Sequence, residues 1–451
     1  MNNQVNEVKI IGAGLAGCEA AWILANAGVP VTVYEMKPKK FSPAHELETY
    51  GELVCSNSLK AKRLDSAAGL LKEEMRLFDS LCVEAAYACE VPAGGALAVD
   101  RHQFSAYITE KIESHPLITV CHEEVTAVPT EGNTIIASGP LTSEPLAESI
   151  RHLCGGALSF FDAAAPIITA ESLDKEFTFC ASRYDHEESG EGDYINCPMN
   201  REEYERFHEA LITAETAPLH EFDKQDGKKK VYEGCMPIEV LAKRGKDSIR
   251  YGPMKPVGLR DPKTGHRPWA VLQLRKENAD GSLLNLVGFQ TNLKFGEQKR
   301  VFGMIPALHR AEFIRYGVMH RNTFLDSPRL LSSGFALKSN PNVFFAGQIT
   351  GVEGYMESAA SGMMAGINML RRIRGKDKVP FSKTTMMGAL SAYISDTSVV
   401  NFQPMGANFG ILPVLETHIR DKRLRYQALA ERAVQDMKQI KETVIDGDSF
   451  L

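Results

Sequence analysis

The opening segment of the chain constrains its fold more than any other part. The apolar run Val8 to Ile11 leads into the glycine-spaced turn Gly12-Ala13-Gly14-Leu15-Ala16-Gly17, which is followed by an apolar stretch ending at Ala25. A second apolar run, Val31 to Glu35, comes next. A strand, a glycine turn, a helix and another strand make a βαβ unit, whose two strands lie parallel in one sheet. The sequence therefore predicts an α/β fold with a Rossmann-like domain.

The glycine spacing also indicates what this domain binds. Gly12 permits a tight turn after the strand, Gly14 lets the backbone approach a pyrophosphate, and Gly17 lets the helix pack closely. The helix N-terminus offers unpaired N–H groups and partial positive charge to phosphate. Glu35 ends the second strand, where a carboxylate accepts hydrogen bonds from a ribose 2′-OH. We therefore predict a dinucleotide site at these residues and at Ala13, Leu15 and Ala16; the alternative is a turn that binds no ligand.

A late glycine-rich segment favours FAD over NAD. A predicted strand from Asn342 runs into Ala346-Gly347-Gln348-Ile349-Thr350-Gly351, and a helix is predicted to begin near Tyr355. This pattern resembles the second flavin-contacting motif of two-part FAD folds, so Gly347, Gln348 and Gly351 join the predicted cofactor site. The sequence has no second glycine fingerprint that would form a separate NAD(P)H domain. The alternative is that these glycines only form the turn into the helix.

A long segment of different character lies between the two motifs. Residues 185–226 contain 13 Asp and Glu against 3 Lys and Arg, whereas residues 228–300 contain 16 Lys and Arg against 7 Asp and Glu. We predict an inserted α+β domain at 181–324 within a discontinuous FAD-binding domain, 1–180 and 325–451. The basic stretch can meet a polyanion although the formal net charge is −6; the alternative is a solvated surface of mixed charge.

Other features argue against whole classes of protein. No run approaches the roughly 18 apolar residues of a membrane-spanning helix, and the N-terminal residues do not resemble a signal peptide. The nine cysteines include no CxxC pair and no cluster with histidine at zinc-like spacing. We therefore expect a cytoplasmic protein that has neither a metal site nor a disulfide framework.

Two cysteines lie in settings that favour a reactive thiolate. Cys55 precedes small polar residues that can cap a helix, with Lys60 and Lys62 nearby in the sequence. Cys235 follows a glycine and precedes Pro237 at the start of the basic stretch. Helix N-termini and neighbouring cations lower the pKa of a thiol and populate its nucleophilic form. The remaining apolar-flanked cysteines are predicted to be structural: Cys82, Cys89, Cys121, Cys154 and Cys180.

Six blocks of the sequence resemble one family, the folate- and FAD-dependent tRNA (uracil-5-)-methyltransferases of bacteria. The blocks follow one order and span nearly the whole chain: Gly12-Ala-Gly-Leu-Ala-Gly17, Leu53-Val-Cys55-Ser-Asn-Ser-Leu-Lys60, Pro92-Ala-Gly-Gly-Ala-Leu-Ala-Val-Asp-Arg101, Tyr232-Glu-Gly-Cys235-Met-Pro-Ile-Glu239, Met319-His320-Arg-Asn-Thr323 and Ala346-Gly-Gln-Ile-Thr-Gly351 with its continuation to Ser358. Wobble-uridine modification flavoproteins share the opening motif, but they are considerably longer.

The resemblance implies a specific reaction. The T-loop uridine of tRNA would be methylated at C5, with carbon from 5,10-methylenetetrahydrofolate and electrons from NAD(P)H through FAD. Cys235 matches the family's nucleophile position, and Cys55 matches its other functional cysteine, nearer the flavin. His320 matches a residue placed to stack on the pterin ring of the folate.

The basic stretch supplies the predicted contacts to the tRNA backbone. Such contacts position a nucleic acid without reading its sequence. The candidates are Lys228, Lys229, Lys230, Lys243, Arg244 and Lys246. No obligate protein partner is indicated.

Two other functions remain open at this point. The first is a general FAD-dependent oxidoreductase acting on a small molecule or disulfide, and the missing redox CxxC argues against it. The second is a FAD-bearing tRNA-binding factor without activity, which would not need Cys55 and Cys235 together.

Overall fold

The computed structural model describes residues 7–54, 56–154, 161–183, 194–217, 236–276, 281, 283–321, 324–399, 402 and 404–445. The strands are β1 Val8–Ile11, β2 Val31–Tyr34, β3 Ser58–Ala61, β4 Glu90–Val91, β5 Ala96–Val99, β6 Ile118–Cys121, β7 Asn133–Ile136, β8 Phe161–Ala164, β9 Ile167–Thr169, β10 Phe179–Cys180, β11 Tyr194–Met199, β12 Ala270–Lys276, β13 Leu283–Leu286, β14 Phe313–Arg315, β15 Val318–Arg321 and β16 Val343–Phe345. The helices are α1 Leu15–Asn26, α2 Ala67–Arg76, α3 Leu81–Ala88, α4 Arg101–Ser114, α5 Glu144–Cys154, α6 Arg201–Thr213, α7 Ile238–Ala242, α8 Phe295–Phe302, α9 Ser327–Leu330, α10 Tyr355–Ile373, α11 Met386–Ser395 and α12 Lys422–Ile445.

A parallel sheet, which we call the nucleotide sheet, has the strand order β16-β7-β1-β2-β6. Val8 in β1 lies between Val31 of β2 and Asn133 of β7, and all of the pairings are parallel. The apolar side chains at alternate positions of β1 and β2 are buried, since helices cover the sheet. The predicted Rossmann-like α/β fold is confirmed.

A six-stranded antiparallel sheet, which we call the second sheet, has the order β10-β11-β12-β13-β9-β14. The division of the chain at residues 180 and 324 remains a prediction. The second sheet does, however, include β9 and β10, which precede residue 181. Its strands therefore come from both sides of the predicted boundary.

Each of these two sheets has its own apolar core. The larger core combines the nucleotide sheet with α1, α10 and the helices around them. The smaller one fills the second sheet and centres on Phe207, Phe289 and Phe302, which are fully buried. Phe289 stacks on Phe207 at 6.1 Å between ring centroids and meets Phe302 edge-on at 5.3 Å.

The tail helix α12 packs a single apolar stripe on the larger core. Its buried residues Leu429, Ala433 and Met437 recur every four positions and thus share one face. The helix begins at Lys422. Within the described residues, no helix is long and apolar enough to span a membrane.

Candidate functional site

The first glycine turn, between β1 and α1, assigns a different role to each glycine. Gly12 has a φ of +104°, and a Cβ there would lie 2.6 Å from the carbonyl oxygen of Ala137. A Cβ on Gly17 would lie 1.9 Å from the carbonyl oxygen of Gly12. No described atom lies within 4 Å of a Cβ built on Gly14. Two glycines are therefore required by packing, whereas Gly14 opens onto a cleft.

Glu35 closes the floor of this turn. Its Oε2 accepts the N–H of Ala13 at 2.8 Å, and its Oε1 accepts the N–H of Lys37 at 3.0 Å. The side chain is 8% exposed and faces the cleft. Each carboxylate oxygen retains acceptor capacity beyond these bonds, as a ribose contact requires.

The second glycine motif packs directly on the first helix. Gly347 has a φ of +84°, its N–H donates to Ser361 Oγ at 2.6 Å, and a Cβ added to it would lie 3.2 Å from Ala16 Cβ. Further along α10, a Cβ on Gly362 would lie 2.1 Å from the carbonyl oxygen of Ala16. Glycines on α10 thus allow this helix to approach the backbone of α1 and bring the two motifs together.

Both motifs line one open cleft with an empty volume of about 1210 Å³. The cleft reaches from the first glycine motif to the second, so one extended ligand can contact both. The first N–H groups of α1 have no acceptor within the helix, and Leu15 and Ala16, which carry two of them, line this space. The predicted residues that line the cleft are Gly12, Ala13, Gly14, Leu15, Ala16, Glu35, Gly347 and Gln348.

Two predicted cofactor residues instead lie behind the cleft wall. Gly17 and Gly351 are absent from the lining. A Cβ on Gly351 would meet the ring of Phe402 at 2.4 Å, so this glycine is required for packing. Lys37 lines the cleft and was missed by sequence reasoning; its Nζ donates to the carbonyl oxygen of Thr49 at 2.5 Å. Its position two residues after Glu35 was the available signal.

Cys55 lies outside the described residues, but its neighbours on both sides reach the cleft. Val54 lines it, and the N–H of Ser56 donates to the hydroxyl of Tyr355, another lining residue, at 3.3 Å. Lys60, which has a φ of +64°, pairs with the buried Glu357 at 2.6 Å. The chain around Cys55 is thus bound to the start of α10.

Cys235 also lies outside the described residues, and the segment after it is fixed on the second sheet's core. The N–H of Ile238 donates to the carbonyl oxygen of Gln290 at 2.8 Å. Glu239, 1% exposed, accepts the hydroxyl of Thr291 at 2.7 Å and the N–H of Asn292 at 2.9 Å. Burial raises the pKa of the Glu239 carboxyl, and these hydrogen bonds oppose that rise. Sequence reasoning did not identify Glu239, because its partners lie about fifty residues away.

The predicted RNA and folate residues are described only in part. Lys228, Lys229 and Lys230 lie outside the described residues. The other three basic candidates, Lys243, Arg244 and Lys246, are exposed just after α7. The backbone of His320 lies in β15 opposite Asp162 of β8, and the position of its side chain is outside the description.

The other cysteines differ in exposure. Cys82 and Cys89 are buried and Cys121 and Cys154 are half-buried, but Cys180 is exposed, so its predicted place in the core is wrong. Cys180 ends β10, which is an edge strand of the second sheet as far as the described residues show. Burial raises the pKa of Cys154 to about 11, which keeps its thiol protonated at neutral pH. The described residues contain no group of His, Cys, Asp and Glu suited to hold a metal ion.

Comparison with known proteins agrees with this geometry. The family model of glucose inhibited division protein A matches residues 7–377. The chain is 57% identical to Methylenetetrahydrofolate--tRNA-(uracil-5-)-methyltransferase TrmFO of Acetivibrio thermocellus, over 96% of this chain and 98% of that protein. It is 58% identical to the protein of the same name from Listeria monocytogenes, over 96% and 99% of the two chains.

The fold is similar to a solved structure of Aquifex aeolicus GidA, with a TM-score of 0.69 and 15% identity over 98% of this chain and 75% of that one. These comparisons confirm the fold class and the resemblance carried by the six sequence blocks. The chain belongs to the methylenetetrahydrofolate--tRNA-(uracil-5-)-methyltransferase family, among proteins that match the glucose inhibited division protein A model.

Proposed function

We propose that this protein methylates the T-loop uridine of tRNA at C5 in the cytoplasm. FAD is its cofactor, 5,10-methylenetetrahydrofolate donates the carbon, and NAD(P)H donates the electrons. The observation that carries the proposal is the single cleft that both glycine motifs share, with Val54 and the Ser56-bonded Tyr355 in its wall. The names of relatives that are 57–58% identical support the same reaction.

The residues of the cleft fit FAD. The N-terminus of α1 and the open side of Gly14 would hold the pyrophosphate, Glu35 would accept hydrogen bonds from the adenosine ribose, and Gly347 with Gln348 would contact the flavin end. When bound, FAD supplies the reducing equivalents that convert a transferred methylene into a methyl group. No residue of the first turn carries a nucleophile, so this turn would hold FAD through non-covalent contacts alone.

Cys235 serves as the nucleophile toward uracil. C5 of uracil is a poor nucleophile until a group adds to C6, and a thiolate both attacks and leaves well. The Cys235 sulfur forms a bond to C6, which makes C5 nucleophilic toward the incoming carbon. Elimination later breaks the S–C6 bond and regenerates the thiolate. Ile238 and Glu239, three and four residues after Cys235, are themselves fixed by hydrogen bonds to Gln290, Thr291 and Asn292.

Cys55 removes the proton from C5. Its neighbours Val54 and Ser56 connect it to the cleft, which supports the expected position near the flavin. After carbon transfer, C5 still bears its original hydrogen, and a base must take this proton before the S–C6 bond breaks. A thiolate at Cys55 accepts it.

The remaining predicted residues bind the substrates. Lys228, Lys229, Lys230, Lys243, Arg244 and Lys246 contact tRNA phosphates, and His320 stacks on the pterin ring of the folate. The target base is part of a folded tRNA elbow, so it must leave its stack to reach the thiol. Exposed cations after α7 are suited to hold the backbone while the base turns out.

One assay separates this function from the two alternatives. Purified protein is incubated with unmodified tRNA, labelled 5,10-methylenetetrahydrofolate and NADPH, and 5-methyluridine is measured. Label in 5-methyluridine is the expected result. NADPH oxidation without methylation would support a general oxidoreductase, and tRNA binding without either reaction would support a binding factor.

The role of Cys235 is tested with tRNA that contains 5-fluorouridine. Fluorine cannot leave C5 as a proton does, so the covalent protein–RNA complex accumulates. We expect a covalent band from wild type and from Cys55→Ala, but none from Cys235→Ala. Cys180→Ala is the matched control because Cys180 is exposed and far in sequence from either motif. A band from Cys235→Ala but none from Cys55→Ala would exchange the two assignments.

A further inference from the structure

Arg275 of β12 joins the second sheet to the chain that follows Cys55. Its Nε donates to Asn57 Oδ1 at 3.0 Å, and its Nη2 donates to Ser56 Oγ at 2.6 Å. The Arg275 side chain is buried, with 7% of the residue exposed. One guanidinium thus holds two consecutive residues of the segment that begins at the predicted catalytic cysteine.

Asn57 extends this connection on its other side. Its Nδ2 donates to the carbonyl oxygen of Lys276 at 2.9 Å and to that of Val99 at 3.2 Å. Its own carbonyl oxygen accepts the N–H of Val99 at 3.0 Å. The residue has no exposed surface. Asn57 is therefore fixed between β12 of the second sheet and β5 of the small sheet β3-β5-β4.

The buried charge of Arg275 is not paired with a carboxylate of the described residues. Among the described residues, no Asp or Glu oxygen lies within 4.0 Å of its guanidinium nitrogens. Burying a cation opposite neutral oxygens costs stability, and an apolar side chain would fill the same space without that cost. The hydrogen bonds to Ser56 and Asn57 are what an apolar side chain could not provide.

We propose that Arg275 is a positioning residue for Cys55 and acts through Ser56 and Asn57, which it holds between the second sheet and the cofactor cleft. Ser56 is bonded to Arg275 on one side and to Tyr355 of the cleft wall on the other. Cys55 directly precedes Ser56 in the chain, so loss of these two bonds would act on its immediate neighbour. This inference rests on the proposed function only in treating Cys55 as a participant in the reaction.

The structure offers a matched control on the same strand. Gln273 is two residues before Arg275, so both side chains lie on one face of β12. Gln273 is 8% exposed and donates to Asn196 Oδ1 of the neighbouring strand β11 at 3.0 Å. Gln273→Met thus removes a buried polar contact inside the second sheet and leaves the Cys55 segment untouched.

The experiment compares Arg275→Met, Arg275→Lys and Gln273→Met. We expect Arg275→Met to lower kcat for 5-methyluridine formation by about 100-fold, because small displacements of a reacting group have effects of this size. The KM for tRNA and the FAD content should stay within twofold of wild type. Arg275→Lys keeps the charge and one hydrogen bond, so it should recover part of the lost kcat. Gln273→Met should retain wild-type kcat.

A second measurement does not depend on turnover. The rate at which iodoacetamide alkylates Cys55 is followed by peptide mass spectrometry in each variant. Arg275→Met should change this rate at least threefold, since the support of Ser56 is lost, and Gln273→Met should leave it unchanged. Equal alkylation rates and equal kcat in the two methionine variants would overturn the proposal. If wild-type protein makes no 5-methyluridine, the proposed function fails, and the alkylation rates alone decide the role of Arg275.

Discussion

The nucleotide sheet and the second sheet hold their functional groups in place in different ways. In the nucleotide sheet, the shape of the backbone forms the ligand site. Gly12, Gly14 and Gly347 leave room for the ligand beside backbone N–H groups. The second sheet acts through buried side chains, with Arg275 and Glu239 holding the segments that follow the two predicted catalytic cysteines. A ligand that carries several phosphates suits a site built from the backbone. A reacting thiol must be oriented, and this requires buried side chains.

The largest expected effect is the loss of FAD binding, which tests the nucleotide region alone. Gly14→Val places a branched side chain in the open cleft. Because this side chain takes the space that the pyrophosphate would occupy, the substitution should abolish FAD binding. The flavin absorbance of the purified protein measures this. Gly296→Val is the control, because the space around a Cβ on Gly296 is open as well and lies outside the cleft lining. Wild-type flavin content in Gly14→Val would refute the assignment of the site.

The next effect tests whether the second sheet can fail by itself. Phe289→Ala removes the ring between Phe207 and Phe302 and should destabilise the second core by about 3–5 kcal/mol. The two cores are separate, so FAD content should persist while methylation falls. Thermal unfolding by circular dichroism and flavin absorbance are measured together, with the exposed Phe177→Ala as control. Parallel loss of flavin would show that the regions unfold as one unit.

The next prediction concerns the pH dependence of stability that a buried carboxyl gives to the nucleotide region. Glu19 of α1 has no exposed surface, and burial raises its pKa to about 7 from an ordinary 4.5. Between these values the folded chain holds a proton that the unfolded chain releases, so stability falls as pH rises, by about 3 kcal/mol in total. Glu19→Gln should reduce the fall of the urea midpoint between pH 5 and pH 8, and the buried Glu74, whose pKa is raised to about 8, should maintain the remainder. The exposed Glu110→Gln should leave that slope unchanged.

The smallest effect concerns the surface of the inserted segment. Replacing Lys243, Arg244 and Lys246 together by Glu should weaken tRNA binding and reduce the slope of log K against log salt by up to about 3, because each lost phosphate contact removes roughly one released counterion. Filter binding at several salt concentrations measures the slope. The same replacement at Lys422, Arg423 and Lys438 on α12 provides a control with an equal change in charge. Equal slopes in both variants would place the tRNA surface elsewhere.

The nucleotide region was the more predictable from sequence. The predicted strand at Val8 to Ile11 has the observed bounds, and the helix expected near Tyr355 begins there. These elements follow from local patterns: apolar runs, glycine turns and helical periodicity. The roles of Gly17 and Gly351 could not be separated from that of Gly14, because lining a cleft and permitting close packing demand the same residue type.

The second region required long-range contacts that no local pattern contains. β9 pairs with both β13 and β14, more than a hundred residues later in the chain, so its place in the sheet was not evident from its three residues. Arg275 sits 218 residues from Asn57, and its role became visible only through that contact. The exposure of Cys180 likewise depends on β10 being an edge strand.

The packing of α10 on α1 also sets an order of events during synthesis. α1 leaves the ribosome long before the helix that covers it, which spans Tyr355–Ile373 and follows β16. The last strand of the second sheet ends at Arg315, so that sheet can be completed while the nucleotide sheet still lacks an edge. The wall that Gly347 contributes is therefore made after the second sheet, so the cleft is complete only once β16 and α10 have been synthesised.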